Sequence, residues 1–134
     1  MEPVKTSIWK IAITSLLTVM AISDIHAQQG EKNVIFNKWH LDGYVVDGKK
    51  YTPSNKEKED YIVFREDMTL VSKSEGKEEE GTYLLNTNGA YVLMIDENGE
   101  KIKAYIISIS KQFLILEYDI NEMKDIEVHY NRAI

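Results

Sequence analysis

Across residues 39–130 the chain repeats one unit about eight times: a short run of alternating apolar and polar residues, closed by a turn of Gly, Asn or Asp. Alternation with period two sends every second side chain to one face, so each run predicts a strand with one buried side. The connections then restrict the topology. Most are two to five residues long, enough to join antiparallel neighbours and too short for the crossover helix that a parallel sheet requires. A parallel α/β fold is excluded on this ground. A two-sheet sandwich usually needs a long Greek-key return, whereas a series of short hairpins favours a meander that closes on itself. The expected fold is therefore all-β: eight antiparallel strands, up and down, in one closed barrel.

The runs can be followed in order. Residues 39–46 open the series, with Trp39, Leu41 and Gly43 on one face, His40, Asp42 and Tyr44 on the other, and Asp47-Gly48 turning the chain. Residues 49–60 form the longest connection, where Pro53 and Ser54 favour one helical turn over 55–60. Runs at 61–65, 69–74, 80–86, 90–95, 101–108, 113–119 and 126–131 follow, all without Pro, as ladder-forming strands require. In the last, Ile126, Val128 and Tyr130 oppose Glu127, His129 and Asn131, the pattern of a strand wet on one side. Residues 104–109 are instead apolar on both faces. Tyr105, Ile107 and Ile109 are expected to form an outer strip covered by the N-terminal segment or by a partner.

Residues 1–27 differ in kind. Lys5 and Lys10 precede an apolar stretch, 11–22, which gives way to Ser23, Asp24, Ile25, His26 and Ala27. This is the order of a charged n-region, an h-region of secretory length and a c-region, so a signal peptide cleaved after Ala27 is expected. About a dozen apolar residues fall short of the ~20 that a bilayer-spanning helix needs, and no membrane span is expected in the mature form. The mature chain divides into an N-terminal segment, 28–38, and a single barrel domain, 39–134, placed in the periplasm or outside the cell. With no cysteine anywhere, disulfides and a lipid-bearing Cys are both excluded. The formal charge of the whole chain is −6, and cleavage leaves it unchanged because Glu2 and Asp24 leave together with Lys5 and Lys10. An acidic surface without a basic stripe offers a phosphate backbone nothing to bind, so nucleic acid is not an expected partner.

Four segments give the chain a family resemblance. Asn37-Lys-Trp-His-Leu41, Phe64-Arg-Glu-Asp-Met-Thr69, Glu80-Gly-Thr-Tyr-Leu-Leu85 and Ile106-Ile-Ser-Ile-Ser-Lys-Gln-Phe-Leu-Ile-Leu116 stand in the order found in the bacterial lipocalin-like domains. That family carries a G-x-W near its start, an F-x-x-D-G-T turn, a G-T-Y strand and a late I-x-x-L-[ST]-x-x-x-L-x-L strand. This sequence departs from the pattern at Asn37 and Met68, where Gly is usual, and at Ile109, where Leu is usual. The resemblance implies a small exported barrel of eight antiparallel strands. It implies no particular ligand, since fold and function are loosely coupled.

The sequence holds little material for catalysis. There is no Cys, the mature chain offers only His40 and His129 as bases, and neither a G-x-S-x-G elbow nor a glycine-rich phosphate loop occurs. No catalytic residue, cofactor or metal is expected. If the first and last strands closed with His40 opposite His129, Asp42 would face Glu127 and the four could approach a zinc site; ion pairing across a wet surface accounts for the same residues. Residues 96–100 are too short for an EF-hand loop and predict a hairpin turn. The charge runs at 56–60 and 77–80 predict solvated turns.

All eight Tyr lie in the mature chain, most of them on strands. An apolar cavity with a few phenols can grip an amphipathic ligand, yet eight strands can also be plugged entirely by side chains, and the shortness of the chain favours plugging. Two functions follow. The first is non-enzymatic binding of a small hydrophobic or amphipathic ligand, with Trp39, Leu41, Phe64, Tyr83, Leu85, Leu116 and Tyr118 as the expected lining. The alternative is a filled barrel acting as a protein-interaction module in the cell envelope, docking an envelope protein or a second copy through Tyr105, Ile107 and Ile109.

Overall fold

Alternation becomes nine strands in the computed structural model, which describes residues 34–133. The expected signal peptide, and residues 28–33 of the N-terminal segment, lie outside them. The strands are β1 (Lys38–Val46), β2 (Lys49–Tyr51), β3 (Tyr61–Phe64), β4 (Thr69–Ser74), β5 (Lys77–Asn86), β6 (Tyr91–Asp96), β7 (Lys101–Ile109), β8 (Phe113–Tyr118) and β9 (Ile126–Arg132). From β3 onward each pairs antiparallel with the next, and β9 returns to pair with β1. β2 and β3 share the same side of β1, β2 along residues 44–46 and β3 along 38–40. Nine strands therefore fill eight positions, and the closed eight-stranded antiparallel barrel is the observed fold.

The turns close through local polar groups. Asp96 Oδ1 accepts from the backbone N–H groups of Asn98 and Glu100 at 2.8 and 2.9 Å, which makes residues 96–100 the expected hairpin. Ser110 Oγ accepts from Gln112 and Phe113 in the same way. In the long connection a short 3₁₀ turn, Asn55–Glu57, forms after Ser54. Its Glu57 Oε1 accepts the Ser54 N–H at 3.1 Å, satisfying a donor that a helix start leaves unpaired.

One end of the barrel is packed solid. Ile35, Trp39, Phe64, Tyr83, Val92, Leu114 and Leu116 are at most 1 % exposed and belong to one continuous cluster. Fully burying a large apolar side chain stabilises by about 1.5–3 kcal/mol, so these residues supply much of the drive to close the barrel. Residues 34–37 cover this end: Trp39 Nε1 donates to Ile35 O at 3.1 Å, and Asn37 Nδ2 donates to Val34 O at 2.6 Å. Tyr83 meets Phe64 edge to face at 5.0 Å. It also clamps the β3–β4 turn, its hydroxyl donating to Arg65 O at 2.6 Å and its N–H to Met68 O at 2.9 Å. Met68 sits at φ 71°, the conformation that explains why Gly is usual at this position in the family pattern. Its side chain packs against the core, a contact Gly cannot make.

Two bulges correct the expected faces. In β1 the pairing with β9 passes from Leu41↔Tyr130 to Gly43↔His129, leaving Asp42 unpaired. Tyr44 then stands opposite Val128 and turns inward, not outward as strict alternation requires. In β7 the pairing passes from Ile106↔Leu116 to Ser108↔Ile115, leaving Ile107 unpaired. Ile109 joins Leu114 against the core. The strip of Tyr105, Ile107 and Ile109 is therefore not one outer face. Tyr105 alone of the three keeps a regular outward position, half-buried beside Tyr91 at 6.3 Å and under Lys103 Nζ at 5.7 Å.

Candidate functional site

The core cluster does not reach the other end of the barrel. Above it opens a cavity of about 430 Å³, the size range of small-molecule sites. Its apolar wall comes from the inward positions of the strands, among them Leu41, Leu70, Met94, Ile102 and Val128. Leu70 and Val128 also belong to the core, so the filled half forms the floor of the hollow half. Ile120 and Met123, from the β8–β9 connection, and Glu57 and Asp60, from the β2–β3 connection, stand around the mouth.

Four tyrosines border this space: Tyr61 bonds the exposed Glu78, while Tyr44, Tyr118 and Tyr130 belong to the interior. Tyr118 and Tyr130 lie on adjacent strands with their oxygens 2.5 Å apart. One hydroxyl donates to the other, so one of the two protons has no acceptor among the described residues. Burial pushes both phenols above their ordinary range. Tyr44 donates to Glu57 Oε2 at 2.6 Å, which ties the 3₁₀ turn to the barrel wall. Burial, and then that bond, raise the Tyr44 phenol well above its usual value, while the same bond holds the Glu57 carboxyl below its own.

Asp60 completes the set. It is only 8 % exposed, against the expectation that residues 56–60 are a solvated charge run. The reason is its parity: Asp60, Ile62 and Phe64 share one face of an extended segment, and that face is the interior. Its Oδ1 accepts the Glu75 N–H at 2.8 Å, while Oδ2 has no donor among the described residues. Burial raises its carboxyl above the ordinary range.

Of the seven residues expected to line a ligand site, Leu41 and Tyr118 border the cavity. Trp39, Phe64, Tyr83 and Leu116 are sealed in the packed half, and Leu85 packs half-buried against it. Alternation identifies inward residues without saying at which height the interior is full. Tyr44, Asp60 and Tyr130 complete the site; the parity of residues 60, 62 and 64 was the available signal for Asp60, and the inward face of 126, 128 and 130 was the signal for Tyr130. Nothing short of the bulge reveals Tyr44.

The four residues weighed for zinc do not converge. His40 lies opposite Asn131, His129 opposite Gly43 and Glu127 opposite Val45. Asp42 is engaged by Lys50, and His129 Nε2 lies 3.1 Å from Glu127 Oε1. Ahead of the bulge, β1 already pairs with β9 two residues away from the register that the zinc geometry needed. Among the described residues no three or more His, Cys, Asp or Glu side chains are placed to hold a metal ion. Among the same residues no helix is long and apolar enough to cross a membrane.

Comparison with known proteins adds to this picture. The lipocalin-like domain family matches residues 35–116. No curated protein matches the chain. The crystal structure of a DUF4847 family protein from Bacteroides vulgatus is similar in fold, with a TM-score of 0.53 at 12 % identity, over 77 % of this chain and 96 % of that one.

Proposed function

The chain belongs to the lipocalin-like domain family, and we propose that it is an exported, non-catalytic barrel that binds a small hydrophobic or amphipathic molecule in the cavity at its open end. The observation that carries the reading is the cavity itself. Side chains that could have filled it, as they fill the other half, leave about 430 Å³ bordered by apolar wall and by phenols with an unused hydrogen-bond donor. An apolar chain would displace water from the wall, while a polar end group would find the tyrosines.

Calorimetric titration with 1-octanol tests the binding. We expect saturable uptake by the wild type and a loss of about tenfold or more in affinity for Val128→Phe, which places a ring in the void. Equal affinity in the two proteins would place the alcohol elsewhere and overturn the assignment. Trp39 lies in the packed half, so its emission is not the reporter of choice. Export rests on the order of charged, apolar and polar residues in 1–27. Intact mass of the protein recovered from its host should correspond to a chain that starts at Gln28; a protein that retains Met1 would defeat the export reading.

A further inference from the structure

The cavity wall is apolar, but its border is one-signed. Glu57, Asp60, Glu79, Glu80, Asp96 and Glu100 adjoin it, against the single amine of Lys73. Five of these acids are explained by solvent or by turn and wall contacts. Asp60 is not. A carboxylate this buried, with one strong donor on one oxygen and none among the described residues on the other, is left short of partners that burial ordinarily demands. Lys73 favours the charged form of Asp60 through space but forms no ion pair with it among the described residues, so it supplies no direct hydrogen-bond partner.

We propose that the site selects by charge and takes a cationic amphiphile, an apolar chain ending in a primary ammonium group, with the ammonium against Asp60 Oδ2 and the chain along Leu41, Leu70 and Val128. The proposal rests on the ligand-binding reading above and names the class of molecule that the same cavity prefers. An ammonium brings three donors, which supply what Asp60 lacks. Tyr44 and Tyr130 adjoin the same space, and aromatic rings attract cations. An anionic head group would meet Asp60, Glu57 and the acidic rim at close range. The overall charge of −6 adds a field that draws cations toward the protein. Burial raises the pKa of Asp60, which agrees with a carboxylate held without sufficient compensation until a ligand arrives.

Three ligands of equal chain length separate this proposal from the one beneath it: octylammonium, 1-octanol and octanoate, each titrated by calorimetry at low and moderate salt. The expected order is octylammonium first, by about tenfold over octanol and more over octanoate, with the advantage shrinking as salt rises. Asp60→Asn should reduce the advantage of octylammonium over octanol while leaving octanol binding in place. If all three bind alike, the charge preference is overturned and the cavity reading stands. If none binds, the cavity reading fails and takes this proposal with it. Preference retained in a folded Asp60→Asn protein removes Asp60 as the partner and overturns the proposal as stated. Should Asp60→Asn not fold, the exposed pair Glu79→Gln and Glu100→Gln decides, since it weakens the rim without touching the interior: a reduced preference supports the proposal, and an unchanged one, together with no salt dependence in the wild type, overturns it.

Discussion

At the scale of single residues, the informative side chains are those whose surroundings oppose their chemistry. Asp60 is a carboxylate held away from water, and its ionisation works against the fold. The folded-state carboxyl titrates above that of the unfolded chain, so through the interval above about pH 4 the unfolded chain has lost its proton while the native protein still holds one. Stability at this site is highest below that interval and falls as pH rises through the folded value. Asp60→Asn should therefore be at least as stable as the wild type at pH 7, with the advantage gone in acid. Denaturant midpoints at both pH values check this; an Asn variant weaker at pH 7 than in acid, relative to wild type, would mean that the charged bond to Glu75 outweighs the burial. A residue whose replacement stabilises the fold is one retained for another reason, as binding sites commonly require. Glu57 shows the opposite case: a hydrogen bond from Tyr44 favours its charged form, so the contact is present at neutral pH and weakens as the solution is acidified through the folded value of Glu57.

At the scale of elements, one bulge shapes the cavity and the other the core. Gly43 has φ 154°, and a Cβ built on it would stand 2.5 Å from Tyr51 O. The close approach lets β2 pair with the end of β1, and the adjacent unpaired Asp42 turns Tyr44 into the cavity. Gly43→Ala should cost about 1–3 kcal/mol, read as a shifted denaturation midpoint, and should raise hydrogen exchange at residues 49–51 before the rest of the barrel. Uniform exchange across the sheet would show that β2 is not the element relieved. Strand positions and hairpins were legible in the sequence because alternation and turn chemistry act over a few residues. The bulges were not, because an extra residue is visible only against the strand it faces. Asp42 looks like an ordinary member of an alternating run, and Ile107 of a run apolar on both faces, until β9 and β8 are set beside them.

At the scale of the whole molecule, a short chain has made a barrel that is filled at one end and hollow at the other. The packed half supplies the core and the open half the cavity, and buried phenols stand in both. Tyr83 is pushed up to about 12, and Tyr44, Tyr118 and Tyr130 are likewise raised, each chiefly by burial. Above the ordinary phenol value of about 10, the unfolded chain releases these protons before the native protein does, so stability declines as pH rises further. Alkaline titration followed by phenolate absorbance should show these four ionising together with the loss of near-ultraviolet circular dichroism; four independent titrations in an intact fold would contradict their burial. The all-β class, the antiparallel meander, its closure into eight positions and the family were written in the residues alone, because all of these follow from local periodicity, connection length and short motifs. Where the interior is full emerges only from the folded barrel. That depends on which side chains from strands distant in the chain meet at one height of the barrel, and on a bulge that re-aims Tyr44, so Trp39 and Tyr83 became core while Tyr44, Asp60 and Tyr130 came to border the space that remains.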